Sequence, residues 1–149
     1  MDVNAILGVI PTVTDGDHVK SQFYFTQYYA GYGFFGTLST LTTDTMYQVE
    51  SAMRATFSVV GAPVALPKSI LLNGEGWTYL PCPYHTGRGL QVALPTGVSF
   101  MDEDQVKSQF VFATFYVGWG WFGTLTDLQP GAGYMLKVHG YGGLATFEI

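Results

Sequence analysis

Apolar residues crowd both faces of the stretch Val106–Leu125, VKSQFVFATFYVGWGWFGTL. Successive residues of an extended chain point to opposite sides, so a period of two sorts them. Phe110, Phe112, Thr114 and Tyr116 form one set, and Val111, Ala113, Phe115 and Val117 form the other. Neither set is polar, which predicts a strand held between layers rather than one with a wet side. The first set is expected to face the core, because Phe, Phe and Tyr recur in phase at Phe23, Phe25 and Tyr29.

That recurrence is part of a longer one. Val19–Leu38 reads VKSQFYFTQYYAGYGFFGTL, displaced by 87 positions from the stretch above. Between Asp15–Leu41 and Asp102–Leu128, 16 of 27 paired residues are identical without a gap. Such self-similarity predicts an internal duplication. The expected halves are 1–60 and 61–149, joined in one compact domain.

Glycines interrupt each run at Gly31-Tyr32-Gly33 and Gly118-Trp119-Gly120. They predict a hairpin turn or bulge, followed by a second strand at Phe34–Leu38 and Trp121–Leu125. If extended geometry persisted through the glycines, Trp119 and Trp121 would share a side, about 7 Å apart. Tyr32 and Phe34 are the matching pair. Rings so placed either stack on flat sugar faces or a protein partner, or cover the core.

Other elements follow from shorter signals. Asp2 is a plausible N-cap for a short helix ending before Pro11, and Gly89–Gly97 predicts its counterpart. Acidic turns follow at Asp15-Gly16-Asp17 and Asp102-Glu103-Asp104. Asp15, Asp17, Asp102 and Asp104 have a spacing that can chelate calcium, or that closes Asx turns before strands. Lys20, Ser21 and Gln22, repeated as Lys107, Ser108 and Gln109, suggest a shared polar network. Ala55–Phe57 and Ala145–Phe147 predict a closing strand in each half.

The middle, 61–85, occurs once. Asn73-Gly74 between apolar runs predicts a hairpin, with Trp77 and Tyr79 on one face of its second strand. The first half lacks such a hairpin, as expected of a piece cut from a longer tandem array with a start methionine added. Alternatively, two unequal halves complete each other around a pseudo-twofold axis. A chain missing that element would also form a homodimer by exchanging it.

Composition narrows the class. Aromatic residues make up 16% of the chain and charged residues 11%, with 19 glycines. That balance favours short strands and tight turns, so the fold expected is all-β with one or two short helices, a β-sandwich or barrel. The net charge is −5 and the six basic residues are scattered, so nothing offers the clustered footprint that nucleic acid requires. No apolar run is long enough for a spanning helix, so membrane insertion is not expected. The single cysteine, Cys82, forms no internal disulfide and reads as a buried thiol.

The signals Gly76-Trp77, Val106-Lys107-Ser108-Gln109, Gly120-Trp121, Gly123-Thr124-Leu125 and Pro130–Val138 together carry a resemblance. In this order they resemble repeats near the C-termini of large secreted or surface proteins of marine and Bacteroidetes-type microbes. The likeness covers the second half; the first departs from it at Thr43–Met46, where Pro-Gly-x-Gly is expected. It implies an extracellular or cell-surface accessory module within a longer chain rather than a known activity, and supplies no catalytic residues to carry over.

The remaining chemistry is thin. His18, His85 and His139 have no helical spacing to a second ligand, and no nucleophile elbow or phosphate loop is present. The expectation is therefore a non-enzymatic module. It would bind a glycan or adhere to another surface protein through Trp119, Trp121, Tyr32, Phe34 and Trp77, with calcium the one cofactor that the acidic turns suggest. The alternative is a structural repeat that assembles a large surface protein.

Overall fold

Val19 stands between His18 and Lys20, and Val106 between Gln105 and Lys107, so only the valine of each triplet gains by turning inward. The computed structural model describes all residues, Met1–Ile149, and both valines are fully buried in it. The chain divides into two compact units, Met1–Ala62 and Pro63–Ile149. The protein is all-β with two one-turn helices and several antiparallel sheets.

In Met1–Ala62, Asp2 caps helix α1 (Val3–Ile6), its carboxylate accepting from the Ala5 N–H at 3.0 Å. Strands β1 (His18–Lys20), β2 (Phe25–Tyr29), β3 (Gly33–Gly36) and β4 (Gln48–Glu50) follow. They form one antiparallel sheet in the order β3-β2-β1-β4. Val19 pairs with Thr26 on one side and Val49 on the other. Val3, Leu7, Val19, Phe34 and Leu38 make the core, with Tyr28 edge-on to Phe34 at 5.2 Å.

Pro63–Ile149 begins with β5 (Lys68–Leu72) and β6 (Gly76–Leu80), then β7 (Arg88–Gly89) and helix α2 (Leu90–Ala93). There follow β8 (Gln105–Lys107), β9 (Phe112–Tyr116), β10 (Gly120–Gly123), β11 (Asp127–Leu128), β12 (Tyr134–Val138) and β13 (Gly143–Phe147). Five of these form a sheet in the order β10-β9-β8-β12-β6, while β5 pairs with β13 and β7 with β11. Ile70, Leu72, Ala145 and Phe147 of the β5–β13 pair share one core with Leu80, Val106, Trp121 and Leu136 of the large sheet. Burying each large apolar side chain there is worth about 1.5–3 kcal/mol.

The offset of 87 reappears in the register. Val19 pairs with Thr26 as Val106 pairs with Ala113, and Thr26 with Gly36 as Ala113 with Gly123. Val49 meets Val19 as Leu136 meets Val106.

Four expectations are corrected. The face of Phe112, Thr114 and Tyr116 points outward, as does that of Phe25, Gln27 and Tyr29, while Ala113 and Thr26 are fully buried. Residues directly opposite in an antiparallel pair share a face, so Ala113 and Thr26 follow the valines inward. Second, the VKSQF segments do not begin the long strand. The Ser21 N–H donates to the Tyr24 carbonyl at 2.9 Å and that of Ser108 to Val111 at 2.9 Å, which turns the chain and leaves Phe23 and Phe110 outside.

Third, Asn73-Gly74 does not make a hairpin. Strands β5 and β6 pair with different partners, so the turn carries the chain from one layer to the other. Asn73 holds this arch: its N–H donates to Thr78 Oγ1 at 2.8 Å and its Nδ2 to the Trp77 carbonyl at 3.0 Å. Fourth, Ala145–Phe147 lies in β13, whereas Ala55–Phe57 is in no strand and is exposed.

Candidate functional site

The outward faces of the two large sheets are where exposed rings and polar groups gather. In Pro63–Ile149, one row crosses all five strands as Phe122, Thr114, Gln105, Lys137 and Trp77, each directly opposite the next. A parallel row holds Phe112, Lys107, Met135 and Tyr79. With strands about 4.8 Å apart, the first row spans roughly 19 Å. Lys107 Nζ stands 4.4 Å from the centre of the Trp77 ring and Lys137 Nζ 5.8 Å from it. The ring's negative face attracts both ammonium groups, an effect of about 0.5–1 kcal/mol at an accessible site. Tyr116 lies beside Phe122, their ring centres 6.4 Å apart.

Met1–Ala62 carries a shorter version. Its rows are Phe35, Gln27, His18, Glu50 and Phe25, Lys20, Gln48. Tyr29 lies 6.5 Å from Phe35, and the His18 ring 5.4 Å from Phe25. His18 Nε2 reaches Glu50 at 3.2 Å. No strand continues these rows beyond β4.

The predicted ring pairs are split by the turn between the two strands. Tyr116 is opposite Gly120 and Tyr29 opposite Gly33, so the chain reverses between them instead of running on. Trp119 at the tip is 79% exposed and Trp121 in the strand only 6%, packed on Phe115 and Phe100. Tyr32 and Phe34 divide the same way, at 80% and 7%. Trp121 and Phe34 are therefore core residues and no ligand platform. Trp119 and Tyr32 remain exposed, and Trp77 lies on the outer face of β6 under its two lysines.

Both buried rings are fixed from the helices. Gln91 and Asn4 each use the side-chain amide to bond the backbone N–H and C=O of Trp121 and Phe34 respectively. The glycine preceding each ring is required: Gly120 and Gly33 have φ of +92° and +98°, and a Cβ there would come within 2.4 and 2.6 Å of those amide oxygens.

The four acids do not form a calcium site. Buried Asp104 accepts from the N–H of Met101 at 2.9 Å, and from the N–H and Nδ1 of His139 at 2.8 Å each. Buried Asp17 accepts from the N–H groups of Thr14 and Ala52 and from Ser51 Oγ. Asp102 accepts from the Val117 N–H at 2.7 Å, and Asp15 accepts from that of Ala30. Carboxylate oxygens already engaged in closing loops are poor ligands for a hard cation. No group of three or more metal-ligating side chains is gathered anywhere in the chain. At Cys82, burial pushes the thiol above its ordinary value, with a smaller opposing effect of a backbone hydrogen bond at Tyr84.

Sequence reasoning missed Phe122 and Phe35 because it turned the long strands inside out, and it gave Gln105 and Lys137 no face. The polar-Val-polar triplets at β1 and β8 carried the signal that would have found them. No protein-family model matches the chain, and no curated protein or solved structure matches it. What the fold itself defines is an all-β protein in which no helix is long and apolar enough to cross a membrane.

Proposed function

We propose that this is a non-catalytic module that binds carbohydrate through the outward sheet faces, at a cell surface or outside the cell. One observation carries the reading: the same rings stand exposed at matching places in both units, as Phe25, Tyr29 and Phe35 and as Phe112, Tyr116 and Phe122. Packing of the fold gives no reason to place large rings in water twice. Flat rings beside Gln105, Thr114, Lys107 and Lys137 suit pyranose faces and their hydroxyls, and a row of roughly 19 Å accommodates several sugar units. The test is a glycan array of neutral and acidic sugars probed with the wild type and with Tyr116→Ala/Phe122→Ala. Binding by the wild type that the double variant loses while remaining folded supports the reading. A blank array with folded wild type sinks it.

A second reading, adhesion to or assembly with other surface proteins, is favoured by Phe23 and Phe110. Both are highly exposed phenyl rings without a polar group. Exposed rings also flank them along the chain, Tyr24 and Phe25 beside Phe23 and Phe112 near Phe110, and clustered exposed apolar surface commonly marks a protein interface.

A further inference from the structure

Strand β12 is paired along both edges, and its counterpart β4 along only one. β12 pairs with β8 on one edge and with β6 on the other, Leu136 facing Val106 and Thr78. β4 pairs with β1 alone and ends its sheet. Leu136 is 0% exposed while Val49 is 61% exposed. The next segment repeats the contrast: Phe147, paired through β13 with β5, is 0% exposed, and Phe57 is 53% exposed and in no strand. Between them Met1–Ala62 holds an open apolar groove of about 120 Å³, lined among others by Leu7, Ile10, Val13, Val49, Met53 and Phe57.

What fills the equivalent space in Pro63–Ile149 is a single continuous piece, the β5–β6 arch of Lys68–Leu80. Its β6 strand completes the large sheet, and its β5 strand gives β13 a partner while sending Ile70 and Leu72 into the core. Met1–Ala62 contains no counterpart of this arch. Its acceptor geometry is nevertheless the same, since β1, β2, β3 and β4 keep the register of β8, β9, β10 and β12.

We infer that Met1–Ala62 is an acceptor for a strand–turn–strand arch with the pattern of Lys68–Leu80, supplied by a further repeat unit. One incoming strand adds antiparallel to the free edge of β4. The other pairs with Ala55–Phe57, draws that segment into a strand, and buries Val49 and Phe57 beneath two aliphatic side chains in the places of Ile70 and Leu72. Backbone bonds along both strands supply affinity, and the alternating apolar residues supply register. The inference concerns a different face from the aromatic rows and does not depend on their ligand.

The test has two arms on the full chain. In the first, a synthetic Lys68–Leu80 peptide is titrated into the protein while amide hydrogen exchange is followed. Exchange at Gln48–Glu50 and Ala55–Phe57 should slow at least tenfold, and a peptide with Ile70→Asp and Leu72→Asp should have no effect. Val49→Lys in the protein, at a position already exposed, should abolish the peptide's effect without unfolding the chain. In the second arm, a second copy of residues 63–88 is fused directly ahead of Asp2, which recreates the spacing of Pro63–Ile149. The same amides should be protected at all concentrations, with a raised Tm. No protection in either arm, with folded protein, overturns the inference. Protection of β4 in the unmodified protein that grows with its concentration would make a second copy the occupant, and would equally overturn it.

Discussion

The side-chain amide of Gln91 brackets the backbone of Trp121: Nε2 donates to its carbonyl at 2.6 Å and Oε1 accepts from its N–H at 3.1 Å. The bracket ties the one-turn helix α2 to the strand that carries the largest core ring. Gln91→Ala leaves both backbone groups without that partner, part-buried, and should lower unfolding stability by about 1–3 kcal/mol. Gly120→Ala should cost at least as much, because a Cβ would strike Oε1 and the backbone φ is positive. Denaturant unfolding of the two variants, monitored by tryptophan emission, checks both.

The two tryptophans on either side of Gly120 should behave as opposites. Trp121→Ala removes a core ring and should cost about 3–5 kcal/mol. Trp119→Ala alters an exposed turn tip and should stay within about 0.5 kcal/mol of wild type. Equal losses at both positions would contradict the strand reversal between Tyr116 and Gly120.

That reversal also shows what the sequence made legible. The offset of 87 was plain from identities alone, and the strand register follows it. Which side of the sheet is wet was not, because Phe112 and Phe115 are equally apolar and alternation only sorts them into two sets. Recurrence of Phe, Phe and Tyr marked an exposed face, since rings can be repeated for reasons other than packing. The triplets His18-Val19-Lys20 and Gln105-Val106-Lys107 resolve the ambiguity, but only once β1 and β8 are known to pair with β2 and β9. Asn73-Gly74 signalled a turn correctly and its partners incorrectly, for pairing depends on β12 and β13, more than 50 residues downstream.

The acidic turns are predicted to be indifferent to metal. Addition of calcium or EDTA should leave Tm unchanged, as scanning calorimetry would show. Asp104→Ala should instead destabilise by about 3 kcal/mol or more, since two backbone N–H groups and the His139 ring lose a fully buried acceptor. A calcium-dependent rise in Tm would revive the cation site.

Alkaline pH should loosen Pro63–Ile149. Burial raises the Cys82 thiol above its ordinary 9.0 and the Tyr134 hydroxyl above its ordinary 10.0. For both groups the unfolded chain then loses its proton first, so the folded form binds more protons and stability falls as pH rises through and beyond those values. Urea midpoints measured from pH 7 to pH 11 should be flat at first and decline from about pH 8 upward, as the unfolded thiol begins to ionise. At pH 8, Cys82 should react with a thiol reagent more slowly in the native protein than in urea, because less thiolate is present.

Trp77, Trp119 and Trp121 all fall in Pro63–Ile149, and Met1–Ala62 contains none. The chain is thus optically lopsided. Indole emission is blind to Met1–Ala62, whose aromatic signal comes from tyrosine and phenylalanine alone. Far-ultraviolet dichroism registers strands in both units. Cooperative melting of Met1–Ala62, whose sheet ends at β4, would register in dichroism and leave the indoles unchanged, so the two units can be followed by different signals in one unlabelled sample.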